Sequence, residues 1–213
     1  MLLGYNTNGF AHHRLADIIS ILADLGYQSI AITLDYHCLD PYADHLANEL
    51  VRVRHWLEKR GLRSVVETGA RFLLNPREKH QPTLISPEGW QREDRLEFLM
   101  HSVDIANELG SDVVGFWSGS PKDNAPPSVL MERLVEGCKR LCDYAAERKV
   151  RLAFEPEPGM FIDTMDKFAE LHARVNHPAF GLTIDIGHLV CNGELPVSRF
   201  LADWGHVLWN VHV

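Results

Sequence analysis

The amino-acid sequence predicts an α/β fold in which the strands are parallel. Seven short apolar segments, rich in β-branched and aromatic residues, recur along the 213 residues, and segments with a 3.6-residue apolar period separate them. Such alternation is typical of βαβ units, whose sheet is either open and doubly wound or closed as a barrel.

The ends of the strands favour the barrel. The first strand is followed by NTNGF, residues 6–10, and not by a glycine-rich phosphate-binding turn. Polar, ionisable or aromatic side chains stand at the carboxyl ends of the strands, where a barrel gathers its functional groups at one mouth. They are Asn6, Asp35, Glu67, Trp117, Glu155, Asp185 and His212. The sequence therefore predicts a TIM (β/α)8 barrel.

Each candidate strand is a short apolar run that ends at a polar or turn-forming residue. In order, they are LLGYNTN from Leu2, SIAITL from Ser29, RSVVETG from Arg63, DVVGFWS from Asp112, RLAFEPE from Arg151, FGLTIDI from Phe180 and LWNVHV from Leu208.

Helices are predicted between the strands by periodicity and by their start signals. After the first strand, apolar residues recur from Leu15 to Leu25 at helical spacing. The fourth helix opens at Pro127, and Thr164 is placed to cap the fifth. The Asp40-Pro41 pair is a candidate helix start. The irregular stretch from Phe72 to Gly89 is interpreted as a functional loop.

An eight-stranded barrel needs one more βα unit than these residues contain. A sheet that stops at the seventh strand leaves backbone donors and acceptors unpaired at two edges. We therefore expect residues 1–213 to form a single barrel domain that is incomplete at its C-terminal end. Either a longer chain or a partner chain would supply the missing strand.

Composition restricts the classes of partner. The formal net charge of −8 disfavours a nucleic-acid partner, because duplex binding draws on a basic face. No apolar run has the length of a membrane span, and the N-terminal residues lack a signal-peptide pattern, so we expect a cytoplasmic protein. No CxxC pair is present, and Cys138 and Cys142 share a helical stripe, which favours reduced, packed thiols.

Three ionisable residues end three consecutive strands. Glu155 lies in LAFEPEPG, Asp185 in LTIDIGH and His212 in LWNVHV. Singly, Glu155 is also compatible with a solvated acidic turn and Asp185 with a capping residue. Jointly, two carboxylates and an imidazole at one rim predict a site for Mn²⁺, Mg²⁺, Co²⁺ or Zn²⁺.

The ordered series FEPEPG, TIDIGH and NVHV, with TNGF after the first strand, resembles the xylose isomerase-like TIM-barrel superfamily. That superfamily includes sugar and sugar-phosphate isomerases and epimerases and, more remotely, endonuclease IV. The resemblance implies that Glu155, Asp185 and His212 bind one divalent metal together with a strand-eight glutamate, which has no counterpart in these residues. It also implies that His188 binds a substrate oxygen.

The stretch ETGARFLLNPREKHQPTL from Glu67 resembles a subgroup described broadly as sugar phosphate isomerase/epimerase. Arg71, Lys79 and His80 are candidates for binding an anionic substrate group, and a solvated basic loop is the alternative. Glu67 is a further candidate for substrate binding. Trp117 is a candidate for lining the substrate pocket, although packing in the core explains an aromatic residue at this position equally well. Asp35 and His37 are expected near the mouth.

The resemblance implies a metal-dependent isomerase or epimerase that transfers an α-proton of a sugar, sugar phosphate or hydroxy-ketone through an enediolate. Glu155 would be both metal ligand and acid/base. The expected partner is a carbohydrate-like small molecule, without nucleic acid or membrane, and a homo-oligomer is compatible with the sequence. The alternatives are a lyase (dehydratase) on the same scaffold, a non-catalytic barrel, and endonuclease-like hydrolysis of DNA recruiting His37, His80 and His101.

Overall fold

The computed structural model describes residues 1–69 and 71–213. Within them, seven strands form one parallel sheet in chain order, each hydrogen-bonded to the next. The strands are β1 Gly4–Asn6, β2 Ser29–Thr33, β3 Arg63–Glu67, β4 Val113–Phe116, β5 Arg151–Phe154, β6 Phe180–Asp185 and β7 Leu208–His212. All seven coincide with predicted strands.

Helices follow the strands and cover the sheet. They are α1 Leu15–Asp24, α2 Leu46–Arg60, α3 Gly89–Leu109, α4 Pro127–Glu147, α5 Met165–Val175, α6 Ile186–Cys191 and α7 Val197–Trp204, with a 3-10 turn at Thr7–Phe10. Consecutive helices from α1 to α5 pack side by side, and β7 approaches β4 and β5 across the interior. The sheet is therefore curled into a half-barrel whose edges, in the described residues, are β1 and β7. The expectation of a further βα unit stays a prediction.

The core between sheet and helices is apolar and aromatic. The rings of Phe154, Phe168 and Phe180 are fully buried, and their centroids lie 5.8 to 6.1 Å apart. Aromatic pairs at this spacing add to the stabilisation from burial alone. This packing fixes β5 and β6, the two strands that carry Glu155 and Asp185.

Local signals explain most element boundaries. Pro127 opens α4, and the Thr164 side chain accepts a hydrogen bond from Lys167 N at the start of α5, both as predicted. The Asp40-Pro41 pair does not start a helix, because Asp40 Oδ1 instead accepts from Tyr42 N at 2.9 Å and closes a turn. The next helix, α2, begins at Leu46.

The loop between β3 and α3 has neither helix nor strand in residues 71–88, as predicted for a long loop. It is nevertheless anchored, because Leu84 and Ile85 are buried and Arg92 donates to the carbonyl oxygens of Ser86 and Pro87. No helix in the described part of the chain combines the length and apolarity that a membrane crossing requires.

A bulge in the last strand pair sets the register of the site. Leu182 pairs with Leu208, but Thr183 pairs with Asn210, so that Asp185 comes to lie opposite His212. The skipped residue, Trp209, lies against Gly181, where a Cβ atom would sit 2.8 Å from the indole ring. Glycine at position 181 thus leaves the space that this register needs.

Candidate metal centre

The candidate centre lies at the carboxyl ends of β5, β6 and β7. Glu155 directly follows β5, while Asp185 and His212 are the last residues of β6 and β7. Because the strands are parallel neighbours, their ends meet at one rim. The shared edge that the sequence predicted is therefore present.

Glu155, Asp185 and His188 form the tightest group at this rim. One ligand atom from each lies within 4.8 Å of the other two. His188 Nδ1 is 3.4 Å from Glu155 Oε1, and His188 Nε2 is 3.8 Å from Asp185 Oδ2. His188 Nδ1 also lies 3.2 Å from the carbonyl oxygen of Pro156. The family resemblance implied that His188 binds a substrate oxygen, which stays a prediction, and its ring stands between the two carboxylates.

Asp185 has two functions in the structure. Its Oδ1 accepts a hydrogen bond from His188 N at 2.9 Å and caps α6, while its Oδ2 faces the His188 ring. The capping and ligand interpretations of this residue are thus compatible, because each uses a different carboxylate oxygen. The cap also orients the first turn of α6, which carries His188.

His212 reaches Glu155 from the other side. Its Nδ1 is 3.4 Å from Glu155 Oε1 and its Nε2 is 3.3 Å from Glu67 Oε1. Burial lowers the pKa of His212, but the hydrogen bonds and charges of Glu155 and Glu67 outweigh burial and raise this pKa to about 11. Among the described residues, His212 is outside the 4.8 Å group, although its strand register places it beside Asp185.

The donor set fits a divalent cation. Carboxylate oxygens from Glu155 and Asp185 and imidazole nitrogens from His188 and His212 converge from three strand ends and the first turn of α6. Mixed oxygen and nitrogen sets of this kind suit Mn²⁺, Co²⁺ or Zn²⁺. The side chains of the group are half-buried, and Glu155 also lines a cavity.

A cavity of about 150 Å³ adjoins the group. Its lining includes Glu67, His80, Trp117, Glu155 and Glu157. The Trp117 side chain is buried, and its Nε1 has no hydrogen-bond partner within the described residues. Burial, together with the charge of Glu155, raises the pKa of Glu157. The cavity therefore combines an aromatic wall with several carboxylates.

A buried cation behind the cavity was not identified from the sequence. The guanidinium of Arg95, on α3, lies 4.6 Å from the ring centroid of Trp117 and donates to Thr68 O at 3.4 Å. Burial lowers the pKa of Arg95 to about 10. The sequence gave no signal of this burial, because Arg95 ends the charged run that begins at Arg92, and such a run is typical of a helix surface.

The predicted anion-binding residues are spread along the mouth. Arg71 is exposed and lines a narrow crevice with Asp35 and His37, and Lys79 is exposed on the same loop. His80 is half-buried with its ring edge-on to Trp117 at 5.2 Å. The structure therefore brings His80 to the cavity, while Arg71 and Lys79 face solvent.

The histidines considered for a nuclease centre have separate environments. His37 lies 3.8 Å from Asp35, and His101 contacts the carbonyl oxygen of Pro41 at 2.7 Å. Within the described ranges, neither belongs to the group at the rim. The arrangement gives no support to a multinuclear centre.

Asn210 is a site residue that the sequence analysis missed. Its Nδ2 donates to Glu67 Oε1 at 3.3 Å and lies 3.1 Å from His212 Nε2. Strand alternation places Asn210 on the same face as His212, two residues before it. This alternation is the feature of the sequence from which Asn210 could have been identified.

Comparisons with known proteins agree with the fold. A family model described as xylose isomerase-like TIM barrel matches residues 19–213. Inosose dehydratase from Lacticaseibacillus casei is 27% identical over 151 residues, 70% of this chain and 49% of that protein. The chain thus spans about half the length of the curated relatives that it matches.

Solved structures show the same architecture. D-allulose 3-epimerase from Methylomonas sp. superposes with a TM-score of 0.81 at 20% identity, covering 100% of this chain and 72% of that chain. The IolI protein with a zinc atom superposes with a TM-score of 0.68 at 16% identity, covering 88% of this chain and 64% of that one. Because the family model matches nearly the whole length of the chain, the chain belongs to the xylose isomerase-like TIM barrel family.

Proposed function

We propose that the protein is a divalent-metal-dependent isomerase or epimerase that transfers a proton next to a carbonyl of a sugar-like substrate. The observation that carries the proposal is the group of Glu155, Asp185 and His188, whose ligand atoms lie within 4.8 Å of one another beside a cavity. The related inosose dehydratase and the structurally similar allulose epimerase are named for polyhydroxylated carbonyl compounds, which supports this substrate class.

Each rim residue has a role in the proposal. Glu155 and Asp185 hold the cation together with His212, whose Nδ1 lies 3.4 Å from Glu155 Oε1. His188, whose ring stands beside both carboxylates, donates a hydrogen bond to a substrate oxygen bound next to the cation. When bound, the cation supplies Lewis-acid polarisation of substrate oxygens. Glu155 also accepts the α-proton, since it is the carboxylate shared by the metal group and the cavity.

The cavity residues would position the substrate. The side chain of Trp117 lines the cavity and would pack against the C–H bonds of a sugar. His80 and Glu67 line the same cavity. Arg71 and Lys79, exposed at the mouth, would contact a phosphate or carboxylate at the far end of the substrate.

Solvent exchange tests the proposal. With Mn²⁺, Co²⁺ or Zn²⁺ present, the protein should incorporate deuterium from D₂O at the α-carbon of a ketose, ketose phosphate or inosose, as followed by NMR. Glu155→Gln should abolish exchange, whereas Glu132→Gln, which alters an exposed carboxylate on α4, should not. A protein with metal bound and no exchange across the panel would instead be a binding protein.

A dehydratase is the second candidate, because the curated relatives are inosose dehydratases. The first step is the same removal of an α-proton. The pathways then differ, because a dehydratase expels a β-hydroxyl as water whereas an epimerase returns the proton to the carbon. Mass spectrometry of the products decides between them, since dehydration removes one water and epimerisation leaves the mass unchanged.

A further inference from the structure

We propose that Glu67 is a positioning residue that holds the His212 imidazole with Nδ1 toward the metal. The inference rests on the metal site of the proposed function and extends it to β3, the strand that carries Glu67. Glu67 would act on the metal centre through the His212 ring, without contacting the cation.

The contacts of His212 assign a separate task to each ring nitrogen. Nδ1 lies 3.4 Å from Oε1 of Glu155, which belongs to the metal group, and Nε2 lies 3.3 Å from Oε1 of Glu67. A ligating imidazole needs a free electron pair on one nitrogen and carries a proton on the other. A carboxylate that accepts this N–H fixes both the tautomer and the ring orientation.

The polar contacts of Glu67 point to His212. The residue is 8% exposed, and its ion-pair contact within the described residues is with His212. Asn210 Nδ2 donates to the same Oε1 at 3.3 Å. A buried carboxylate is costly unless hydrogen-bonded, so these two partners account for its position.

Gly115 supplies independent support. A Cβ atom at this position of β4 would overlap with the Glu67 carboxylate, whose Oε1 would lie 3.2 Å away. Gly115 has no unusual backbone conformation that requires glycine, since its φ is outside the left-handed region. The missing side chain therefore serves to leave room for Glu67.

Metal affinity and the state of the His212 ring test the inference together. Titration calorimetry with Zn²⁺ should give about 10- to 100-fold weaker binding for Glu67→Ala, and a smaller loss for Glu67→Gln, which keeps an acceptor oxygen. Gly115→Ala should weaken binding in the same direction without changing any charge. In the zinc-loaded protein, ¹⁵N NMR should show the His212 Nε2 protonated, and this signal should shift or broaden in Glu67→Ala.

Glu157→Gln is the matched control, because it removes a carboxylate from the same cavity without a contact to His212. It should reduce affinity less than Glu67→Ala and leave the His212 signals unchanged. Equal losses in both variants with unchanged His212 signals would overturn the inference, leaving only a charge effect. Wild-type affinity in Glu67→Ala would also overturn it, while absence of zinc binding by the wild type would overturn the proposed metal site as well.

Discussion

At the scale of single residues, Asp185 combines a structural and a chemical task on separate atoms. Oδ1 caps α6 and Oδ2 faces the rim group. An asparagine retains the capping oxygen but lacks the charge that a cation requires. Substitutions at this position can therefore separate folding from metal binding.

We expect Asp185→Asn to lower metal affinity by more than about tenfold with little loss of stability, because the cap is retained. Asp185→Ala should lose the same affinity and, in addition, about 1 kcal/mol of unfolding free energy. Urea unfolding without metal measures the stability and calorimetry measures the affinity. Equal stability of the two variants would show that the cap contributes nothing.

The cysteines give a second prediction at this scale. Burial raises the pKa of Cys38 to about 11 and that of Cys142 to about 12, and raises that of Cys138 well above its usual value. Cys191 is exposed at the end of α6. Because the thiolate is the reactive form, a thiol with a pKa of 11 is about one thousandth ionised at pH 8.

Ellman's reagent at pH 8 should therefore label Cys191 rapidly in the folded protein and the other three thiols only slowly. Their labelling rates should rise with pH toward 11, as the thiolate fraction grows. Cys191→Ser should remove the rapid phase, and denatured protein should release all four equivalents. A rapid phase that survives Cys191→Ser would contradict the predicted packing of Cys38.

Some features of the site could be predicted from the sequence and others could not. The position of Glu155, Asp185 and His212 at one rim was predictable, because each stands at the end of an apolar strand whose neighbours run parallel to it. The position of the His188 ring between two carboxylates was not, because it depends on the cap that starts α6. The contact of Glu67 with His212 joins residues 145 positions apart and has no local signal.

At the scale of elements, the β6–β7 pair determines how the rim is assembled. The bulge between Leu182 and Thr183 brings Asp185 opposite His212. Periodicity predicted both strands, but a one-residue shift in pairing depends on tertiary packing of Trp209 on Gly181. The register of the β6–β7 pair could therefore not be predicted from the sequence.

Gly181→Ala should disturb this register. The added Cβ would lie 2.5 Å from Val207 O and 2.8 Å from the Trp209 ring, so strand β7 must shift. We expect a loss of about 1–3 kcal/mol in unfolding free energy, as for overpacked cores, with weaker metal binding. Gly89→Ala, where the nearest atom is 3.8 Å away, is the control and should not destabilise. Full metal affinity in Gly181→Ala would show that the bulge does not determine the geometry of the metal site.

At the scale of the whole molecule, strand order and site chemistry are linked. The order β1 to β7 was predictable from the alternation of strands and helices together with the polar residues at the strand ends. It brings the ends of β3, β4 and β5 around one cavity and the ends of β6 and β7 beside it at the same rim. Four carboxylates meet there, from Glu67, Glu155, Glu157 and Asp185. Without a cation their mutual repulsion opposes folding, so the fold and the proposed metal should stabilise one another.

Metal binding should therefore raise the thermal stability of the entire protein. A ligand at 100 times its dissociation constant stabilises the native state by about 2.7 kcal/mol. For a chain of this length, that corresponds to a rise in Tm of roughly 5–10 °C. Differential scanning fluorimetry with Mn²⁺, Co²⁺ or Zn²⁺ measures the rise, which EDTA should reverse and Glu155→Gln should largely abolish. Hydrogen exchange should slow most in β5, β6 and β7, whose ends carry Glu155, Asp185 and His212, and less in β1 and β2. Protection of β1 and β2 alone would place the cation outside the rim, and an unchanged Tm would contradict preferential binding of the metal to the folded protein.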